Sequence, residues 1–428
     1  GLSAVSPLTR LYLLFSRVSG PLWRLSHRRR LTRGKENPGR LREKYGEYKQ
    51  DRPEGPLIWF HALSVGESLA LVPLIELALT ARPGDHVVLT TSTATSIAAL
   101  ERAGLPDRCF HILMPIDTPQ AVGRFLDHWR PDVAGFAELD FWPRLMVDTQ
   151  ARGIPMILIN SRMPEGNFKR RKKLGGLTRD VLRLFKRLLV QDEASRERFA
   201  DLGADRDRIE VAGALKSAAR PLPADAKEVE RLQGVIASRP TWLAAATIGS
   251  EHPAMIAAHV RIAKALPDAL MILAPRNVSD GDEAESLARA QFDRVARRSC
   301  GEDIGADTQV YVADTIGEMG LWYRLAPVSF LGHSLGEGLE GKNPYEAAAL
   351  GSVVLHGPEV SYFSESYAGL TAEGAAREVC DAEGLADAVI DLQDPARRQP
   401  MRDGAERAIA ARRGVLDATR RVVDSYLD

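Results

Sequence analysis

The chain repeats one pattern over most of its length. Short runs of apolar and β-branched residues alternate with stretches in which apolar residues recur at helical spacing. In the first half these runs are LIWFHA (57–62), HVVLTTS (86–92), HILM (111–114), VAGFAE (133–138), MILIN (156–160), RLLVQD (187–192) and IEVAG (209–213). Runs that are apolar on both faces and separated by helices are typical of a parallel sheet covered by helices on both sides. The first half therefore predicts a doubly wound α/β domain.

A second domain of the same kind follows a break in the pattern. Residues 216–226, KSAARPLPADA, contain two prolines and no apolar periodicity, which is typical of a linker. Beyond it the strand-like runs are WLAAAT (242–247), ALMILAP (269–275), QVYVAD (309–314), VSFLG (328–332), SVVLHG (352–357) and REVCD (377–381). We predict Rossmann-like domains over 51–215 and 227–399, facing a central cleft at the carboxyl ends of their strands, and a final helix over 400–428.

The composition sets the general class of protein. With 428 residues, 45% hydrophobic and 27% charged, the chain is typical of an ordinary globular protein of two domains. Its three cysteines, Cys109, Cys300 and Cys380, are far apart and form no CxxC motif, which predicts a reducing compartment and no structural metal. Acidic residues are in excess beyond residue 50, so nucleic acid is not an expected partner.

The first 50 residues are strongly basic, with twelve Lys or Arg and three Asp or Glu. Between the arginines, and before Trp23, apolar residues recur at helical spacing: Leu8, Leu11, Leu14, Phe15 and Val18. The apolar stretch is shorter than the ~18 residues that a membrane span needs. We therefore predict a basic amphipathic helix on an anionic membrane surface, with a solvated arm and a cleaved targeting peptide as alternatives. The chain begins with Gly rather than Met, which is compatible with removal of a preceding segment such as a membrane span.

Polar motifs follow the predicted strands in both halves. HALSVGE, AELDFWP and NSRMPEGNFKRRKK follow strands of the first half, and PRN, DTIGEMG and EGKNPYEAAALG follow strands of the second. Because the carboxyl ends of parallel strands meet at one edge of a sheet, we expect each set of motifs to share an edge.

The motifs of the second half predict a nucleotide site. NPYEAAALG places Pro344 and Glu346 in the first turn of a helix, where a carboxylate could accept hydrogen bonds from a ribose. In DTIGEMG, the glycines allow the backbone amides to turn toward a phosphate. Arg276 adds a guanidinium group, which carries a positive charge and forked N–H donors. The alternatives are that Glu346 and Glu318 cap helices and that Arg276 belongs to a surface ion pair. The segment matches neither GxGxxG nor the P-loop.

Taken in order, the motifs resemble a known family. HALSVGE, ELDFWP, NSR, GALK, PR, DTIGEMGLWY and NPYEAAALG, over about residues 35–370, resemble the bacterial 3-deoxy-D-manno-octulosonic acid (Kdo) transferases. That family has two Rossmann-like domains in the arrangement called GT-B. The resemblance implies inverting, metal-independent and cofactor-free transfer of Kdo from CMP-Kdo to a hydroxyl of a lipid A precursor in lipopolysaccharide core biosynthesis. It also implies an inner-membrane location, peripheral or N-terminally anchored, with the catalytic domains in the cytoplasm.

The resemblance also implies roles for individual residues. Glu67 would be the catalytic base that inversion requires, although it could simply cap the helix that follows. The acceptor side would include Ser64, Gly66, Glu138 and Arg162, with the cluster Lys169, Arg170, Arg171, Lys172 and Lys173 as further candidates. The CMP contacts would be Arg276, Ile316, Gly317, Glu318, Met319, Gly320, Asn343 and Glu346. His61 could be structural or support the site, and Lys216 could reach the donor or be solvated.

Several motifs depart from the family pattern. TIGSEH (247–252) stands where an HxGEE-like run is usual, PRN replaces PRH, EGK replaces GGH, and GALKSAA lacks the aspartate that usually follows the lysine. A diverged GT-B paralogue that uses another nucleotide sugar or lipid acceptor is therefore an alternative. A UDP-sugar transferase or epimerase and a non-catalytic, membrane-associated sugar-binding protein are the others.

Overall fold

Two seven-stranded sheets organise the chain in a computed structural model, which describes residues 5–139, 142–216 and 221–427. Every pair of neighbouring strands in both sheets is parallel. The described residues divide into two compact units, one within Gly1–Ser217 and Arg412–Asp428 and the other within Ala218–Ala411. The predicted fold class, α/β with two doubly wound parallel sheets, is confirmed.

The sheet of the first unit has the strand order β3-β2-β1-β4-β5-β6-β7. Its strands are β1 (Leu57–Ala62), β2 (His86–Thr91), β3 (Cys109–Leu113), β4 (Val133–Phe136), β5 (Met156–Ser161), β6 (Arg187–Val190) and β7 (Ile209–Val211). All seven overlap the predicted runs. The strand order reverses between β1 and β4, where Ile58 pairs with Val133, and ligands of such sheets bind outside this point.

Helices cover both faces of this sheet. They are α1 (Pro7–Val18), α2 (Gly20–Thr32), α3 (Val65–Ala81), α4 (Thr95–Ala103), α5 (Pro119–Trp129), α6 (Pro143–Ala151), α7 (Glu165–Lys172), α8 (Gly176–Leu182) and α9 (Glu193–Asp201). The core includes a chain of fully buried rings, in which Trp59 lies 4.8 Å from Phe125 and 5.1 Å from Phe136, centroid to centroid. All six residues of β1 are buried, which explains why the strand is apolar on both faces.

The sheet of the second unit has the order β10-β11-β9-β8-β12-β13-β14. Its strands are β8 (Thr241–Thr247), β9 (Leu270–Pro275), β10 (Val295–Arg297), β11 (Val310–Val312), β12 (Val328–Leu331), β13 (Val353–His356) and β14 (Ala376–Glu378). The sequence predicts six of them and misses β10. This strand has only three residues, lies at the edge of the sheet and is followed by Arg298, so it lacks an apolar run.

The helices of the second unit and the final helix complete the described chain. They are α10 (Ala226–Ile236), α11 (His252–Ala265), α12 (Gly281–Arg289), α13 (Met319–Leu325), α14 (Pro344–Ala349), α15 (Ser364–Ala372), α16 (Ala382–Leu392) and α17 (Pro395–Asp424). The final helix begins at Pro395, five residues before the predicted start at 400, and includes Pro400.

The sequence predicts a segment over residues 1–50 that is separate from the first domain, whereas the structure packs its helices onto the first unit. Tyr12 donates to Asp117 at 2.7 Å, and Thr9 donates to Asp180 at 2.6 Å. Arg144 donates to the carbonyl oxygen of Leu13 at 3.0 Å. These long-range bonds make α1 part of the first unit.

The helix α1 has its polar side inward and its apolar side outward. Thr9 and Ser16 are buried, whereas Leu11, Leu14 and Val18 are between 60% and 70% exposed. The exposed apolar side continues through other residues of α1 and α2: Leu8, Phe15, Leu22 and Leu25. We call these seven side chains, on α1 and α2, the outer apolar face.

Across the described ranges, no helix combines the length and the apolar character needed to cross a membrane.

Candidate active site

The loops after β1 and β4 leave neighbouring strands at the carboxyl edge of the first sheet. The amide of Ala137 donates to the carbonyl oxygen of His61 at 2.8 Å, which joins the ends of the two strands. Residues 63–67 follow β1, and Glu138 follows β4. Glu67 and Glu138 therefore belong to the two loops that flank the point where the strand order reverses.

Glu67 completes a capping box at the start of α3. The amide of Glu67 donates to Ser64 Oγ at 3.3 Å, and Glu67 Oε2 accepts from the amides of Leu63 at 3.1 Å and Ser64 at 3.5 Å. The helix begins at Val65, so the predicted alternative of a capping glutamate is present in the structure. Glu67 is half-buried, and its Oε1 has no hydrogen-bond partner among the described residues.

Gly66 lies in the exposed first turn of α3, next to Glu67. A Cβ atom at this position would have no heavy atom within 4 Å, and the residue is not in the left-handed region. Nothing in the described part of the protein therefore requires glycine here. The open space beside Gly66 is available for a ligand that approaches the backbone.

The other acceptor-side candidates lie at the same edge. Glu138 is half-buried two residues after β4, and Arg162 is exposed directly after β5. Hydrogen bonds from Ser195 lower the pKa of Asp192, and the positive charge of Arg162 lowers it further, so these side chains share one electrostatic environment. Asp140 and Phe141 of the AELDFWP motif lie outside the described residues.

His61 is a buried residue of β1. Its Nδ1 lies 2.9 Å from Thr90 Oγ1, and its ring packs edge-on against Phe136. The structure thus gives His61 contacts within the sheet, as the structural interpretation predicts. Lys216 is half-buried and is the last residue described before the gap at 217–220.

The helix α7 presents most of the basic cluster, and none of its residues is buried. Lys169 pairs with Glu165 at 3.4 Å, and the ammonium of Lys172 lies 5.6 Å from the centre of the Phe168 ring. These contacts stabilise the exposed side of the helix.

Two arginines of α7 line a pocket of about 270 Å³ together with Asn167 and Leu174. Arg170 donates to the side-chain oxygen of Asn167, and Arg171 donates to the carbonyl oxygen of Leu139. Leu139 follows Glu138, so Arg171 connects this pocket to the loop after β4. A pocket with two guanidinium groups suits an anion.

In the second unit, the loop after β11 carries a series of unbonded backbone amides. The amides of Ile316, Gly317, Glu318, Met319 and Gly320 have no hydrogen-bond acceptor among the described residues. Gly317 has a φ of 82°, and Ile316 is 85% exposed. Successive free N–H groups at a glycine turn can form an anion-binding nest, and an anion site at DTIGEMG stays a prediction from the sequence. We call residues 315–320 the amide loop.

Two residues of the amide loop have additional structural roles. Glu318 accepts two bonds from Arg298, at 3.1 and 2.8 Å, and one from Thr315 at 2.6 Å. The bonds from Arg298 lower the pKa of Glu318. A Cβ atom at Gly320 would collide with the carbonyl oxygen of Pro223. Glu318 therefore offers a ligand its backbone, because its carboxylate is already bound.

The remaining donor-side candidates follow β9 and β12. Arg276 is exposed directly after β9, and its amide donates to the carbonyl oxygen of Thr247 at 2.8 Å. Asn343 caps α14 by accepting from the amide of Tyr345 at 3.0 Å. Glu346, in the first turn of α14, is half-buried and lies 3.6 Å from the ammonium of Lys342. Asn343 is thus the helix cap, a role that the sequence leaves open for Glu346.

Sequence reasoning missed Glu251, which holds the loop after β12. Its buried carboxylate accepts from the amides of Ile248 at 3.0 Å and His333 at 2.7 Å, and from those of Ser334 and Leu335 at 3.1 Å each. Its signal is a glutamate three residues after Ile248, at a helix start in TIGSEH. This motif, noted only as a departure from the family pattern, therefore has a structural role.

Within residues 5–139, 142–216 and 221–427, no three His, Cys, Asp or Glu side chains are grouped closely enough to hold a metal ion.

Known proteins resemble this chain over most of its length. The 3-Deoxy-D-manno-octulosonic-acid transferase (kdotransferase) family matches residues 39–219. The probable mitochondrial 3-deoxy-D-manno-octulosonic acid transferase of Arabidopsis thaliana is 32% identical over 361 residues, 83% of this chain and 80% of the relative. The 3-deoxy-D-manno-octulosonic acid transferase of Bordetella pertussis is 33% identical over 380 residues, 87% of each chain. A solved structure, the C-terminal CMP-Kdo binding domain of WaaA from Acinetobacter baumannii, is 27% identical and covers 42% of this chain and 96% of that chain, with a TM-score of 0.41.

These relatives define the class of the protein first: it is a glycosyltransferase. More particularly, the chain belongs to the 3-deoxy-D-manno-octulosonic acid transferase family. The resemblance seen in the ordered motifs is confirmed.

Proposed function

We propose that this enzyme transfers Kdo from CMP-Kdo to a hydroxyl of a lipid A precursor, with inversion at the anomeric carbon and without a metal ion. The observation that carries the proposal is the geometry of Glu67. One carboxylate oxygen is held by two backbone amides, and the other has no partner among the described residues. A carboxylate fixed in this way at the carboxyl edge of the sheet suits a general base.

The proposed reaction is a single displacement. The acceptor oxygen attacks the anomeric carbon of Kdo while its proton passes to Glu67 Oε1. The bond from that carbon to the phosphate oxygen of CMP breaks, and CMP leaves with the bonding electrons. Attack opposite the leaving group inverts the configuration, and the proton on Glu67 then passes to water.

The donor phosphate would be bound by the amide loop and Arg276. Backbone N–H groups and a guanidinium supply positive charge to the leaving phosphate, as a metal ion does in other transferases. Glu346, in the first turn of α14, would accept hydrogen bonds from the ribose hydroxyls of CMP.

The acceptor would bind at the edge of the first sheet, near Ser64, Gly66, Glu138 and Arg162. The pocket that Arg170 and Arg171 line is joined to this edge through the carbonyl oxygen of Leu139. A phosphate group of a lipid A precursor would make charge-assisted bonds to such guanidinium groups.

We also propose a location on the cytoplasmic side of the inner membrane, and the outer apolar face supports contact with a membrane surface. The polar side of α1 makes hydrogen bonds to the rest of its own protein, so its apolar side is exposed. A lipid bilayer would bury that apolar side. Arginines accompany this face in the sequence, and they would attract anionic lipid headgroups.

The deciding experiment is incubation of the enzyme with CMP-Kdo and a tetraacylated lipid A precursor. Mass spectrometry should show the precursor with one or more added Kdo units, and CMP should appear in equal number. Product formation that persists in excess chelator supports metal independence, and the anomeric configuration of the product tests inversion. No added mass with enzyme that is shown to be folded would reject this donor and acceptor.

A second candidate is a transferase of the same fold with another nucleotide sugar. It is favoured by Lys342, which stands where the family usually has histidine and pairs with Glu346 at the proposed ribose position. Thermal unfolding separates the two candidates, because a ligand of the native state raises the melting temperature. CMP should stabilise the enzyme and UDP should not, whereas the reverse result would favour the second candidate.

A further inference from the structure

Arg298 lies just after β10 and binds the amide loop, of which it is not a part. Its guanidinium donates from two different nitrogens to the two carboxylate oxygens of Glu318, at 3.1 and 2.8 Å. This forked pair fixes both the position and the orientation of Glu318. Glu318 is the residue from which α13 starts and carries one of the free amides of the loop.

Arg298 is itself held from two other directions. Its Nη1 donates to Glu228, in the first turn of α10, at 2.9 Å. Its guanidinium also lies 5.3 Å from the centre of the buried Trp322 ring. The position of the guanidinium is therefore fixed in the absence of a ligand. Its bonds to Glu318 in turn fix the position of that carboxylate.

The outer part of the amide loop has few contacts of its own. Ile316 is 85% exposed, and a Cβ atom at Gly317 would meet nothing within 4 Å. The loop is anchored instead at its base, where Glu318 also accepts from Thr315 at 2.6 Å. The direction of the free amides consequently depends on the position of Glu318.

We propose that Arg298 is a positioning residue for the donor, which keeps the amides of residues 316–320 converged on the phosphate of a nucleoside monophosphate group. This inference rests on the proposed donor site. Arg298 does not contact the phosphate; it acts through Glu318, whose carboxylate it binds. Without this pair the amides keep their chemistry but lose their common direction, so the protein must order the loop when the donor binds.

The test uses Arg298→Gln, with Arg231→Gln as a matched control. Arg231 also binds Glu228, at 2.7 Å, and its second carboxylate partner is Asp303, at 3.0 Å, rather than Glu318. Loss of a charge-assisted forked pair should raise the Kd for CMP and the KM for CMP-Kdo about 10-fold or more. The acceptor KM should change less than about 2-fold, because the acceptor side is untouched, whereas kcat should also fall, because the same amides stabilise the leaving phosphate. Arg231→Gln should leave all four parameters near those of the parent enzyme.

Two further variants separate positioning from a general loss of positive charge. Arg298→Lys keeps the charge but not the fork, so its CMP affinity should fall between those of the parent and Arg298→Gln. Combining Arg298→Gln with Glu318→Gln should weaken CMP binding no more than the worse single change, because both changes break the same pair. Full affinity in Arg298→Lys, or additive losses in the double variant, would contradict the proposal.

The outcomes also distinguish this inference from the donor proposal on which it rests. If the parent enzyme does not bind CMP, the donor proposal fails. If the parent binds CMP and Arg298→Gln binds it equally well, only the role of Arg298 is refuted. Thermal unfolding of each variant shows whether a loss of affinity is a loss of fold.

Discussion

Glu67 caps α3 in the structure and is also the base that we propose, two roles that the sequence presents as alternatives. A carboxylate has two oxygens, and here the backbone uses one of them while the other has no partner among the described residues. The capping bonds restrict the rotation of the side chain, so the second oxygen has a defined position. A helix cap can in this way orient a base without consuming it.

Replacing Glu67 by glutamine should separate the two roles. The amide oxygen of Glu67→Gln can still accept from the amides of Leu63 and Ser64, so the melting temperature should stay close to that of the parent. Because glutamine takes no proton, kcat should fall by about 10²- to 10⁴-fold. Steady-state kinetics with mass detection of the product measures this change. Glu67→Ala should lose both activity and about 1 kcal/mol of stability. A kcat within 10-fold of the parent would show that Glu67 is not the base.

Gly66 provides a test of acceptor approach that does not disturb the fold. Alanine should raise stability by up to about 1 kcal/mol, because glycine disfavours the helix and the new Cβ meets no neighbour. If the acceptor approaches this backbone, the same methyl group should raise the acceptor KM several-fold. Gly123→Ala is the matched control, since Gly123 lies in α5 with equally open space. An unchanged acceptor KM in Gly66→Ala would place the acceptor elsewhere.

At the scale of elements, the strands were predictable and several of their contacts were not. Apolar runs such as LIWFHA reveal β1 because both of its faces are buried. The edge strand β10 has no such run and was missed. Glu251 accepts hydrogen bonds from the amides of residues 333–335, which are more than 80 residues away in the sequence. No local sequence pattern predicts these bonds.

The orientation of helix α1 is also a feature that the sequence does not predict. Its spacing reveals an amphipathic helix, but not which side faces the protein. That orientation depends on bonds from Thr9 to Asp180 and from Tyr12 to Asp117, which are distant in the sequence. The polar side is consequently the inner one, opposite to the arrangement in an ordinary surface helix.

Acidic substitutions on the outer apolar face should weaken membrane binding. Leu14→Glu combined with Val18→Glu places two negative charges where both parent side chains are at least 60% exposed, so the fold should be unaffected. Binding to vesicles that contain anionic lipid should fall by about 10-fold or more, through lost apolar burial and charge repulsion. Co-sedimentation measures it, with Tyr362→Glu, on the second unit, as the control for an exposed apolar residue. Equal binding by all three proteins would exclude this face as the contact.

The packing of α11 on β8 predicts a pH dependence. His259 is buried, accepts from Trp242 Nε1 at 3.0 Å and lies 2.9 Å from the carbonyl oxygen of Gln309, a pattern that requires the neutral ring. Burial lowers the pKa of His259 to about 4. The unfolded chain therefore binds the proton first, and stability should fall by up to about 3 kcal/mol as pH falls from about 6.5 to 4.

Chemical unfolding at several pH values measures this contribution. His259→Gln removes the titrating ring, so its unfolding free energy should decrease less than that of the parent over this range, while other groups contribute equally to both. The same pH slope in parent and variant would contradict the assignment.

At the scale of the molecule, the two sheets place their candidate residues in the same way. In each unit the candidate residues lie on segments that follow the carboxyl ends of parallel strands, as the sequence predicts from the position of its motifs. The motifs reveal these segments in the sequence because the backbone turns that follow the strands need glycine and proline. They do not reveal that Glu318 is bound by Arg298 or that Gly66 is sterically unconstrained, because these properties depend on tertiary neighbours.

The outward orientation of the apolar side of α1 also affects how the purified protein should behave. In aqueous buffer without lipid or detergent, the exposed apolar side chains of α1 can be buried by contact with a second molecule of the protein. Sedimentation should therefore give a mass that rises with concentration, and a mild detergent should return it to that of a single chain. Lipid that co-purifies with the enzyme would occupy the same place and suppress this self-association.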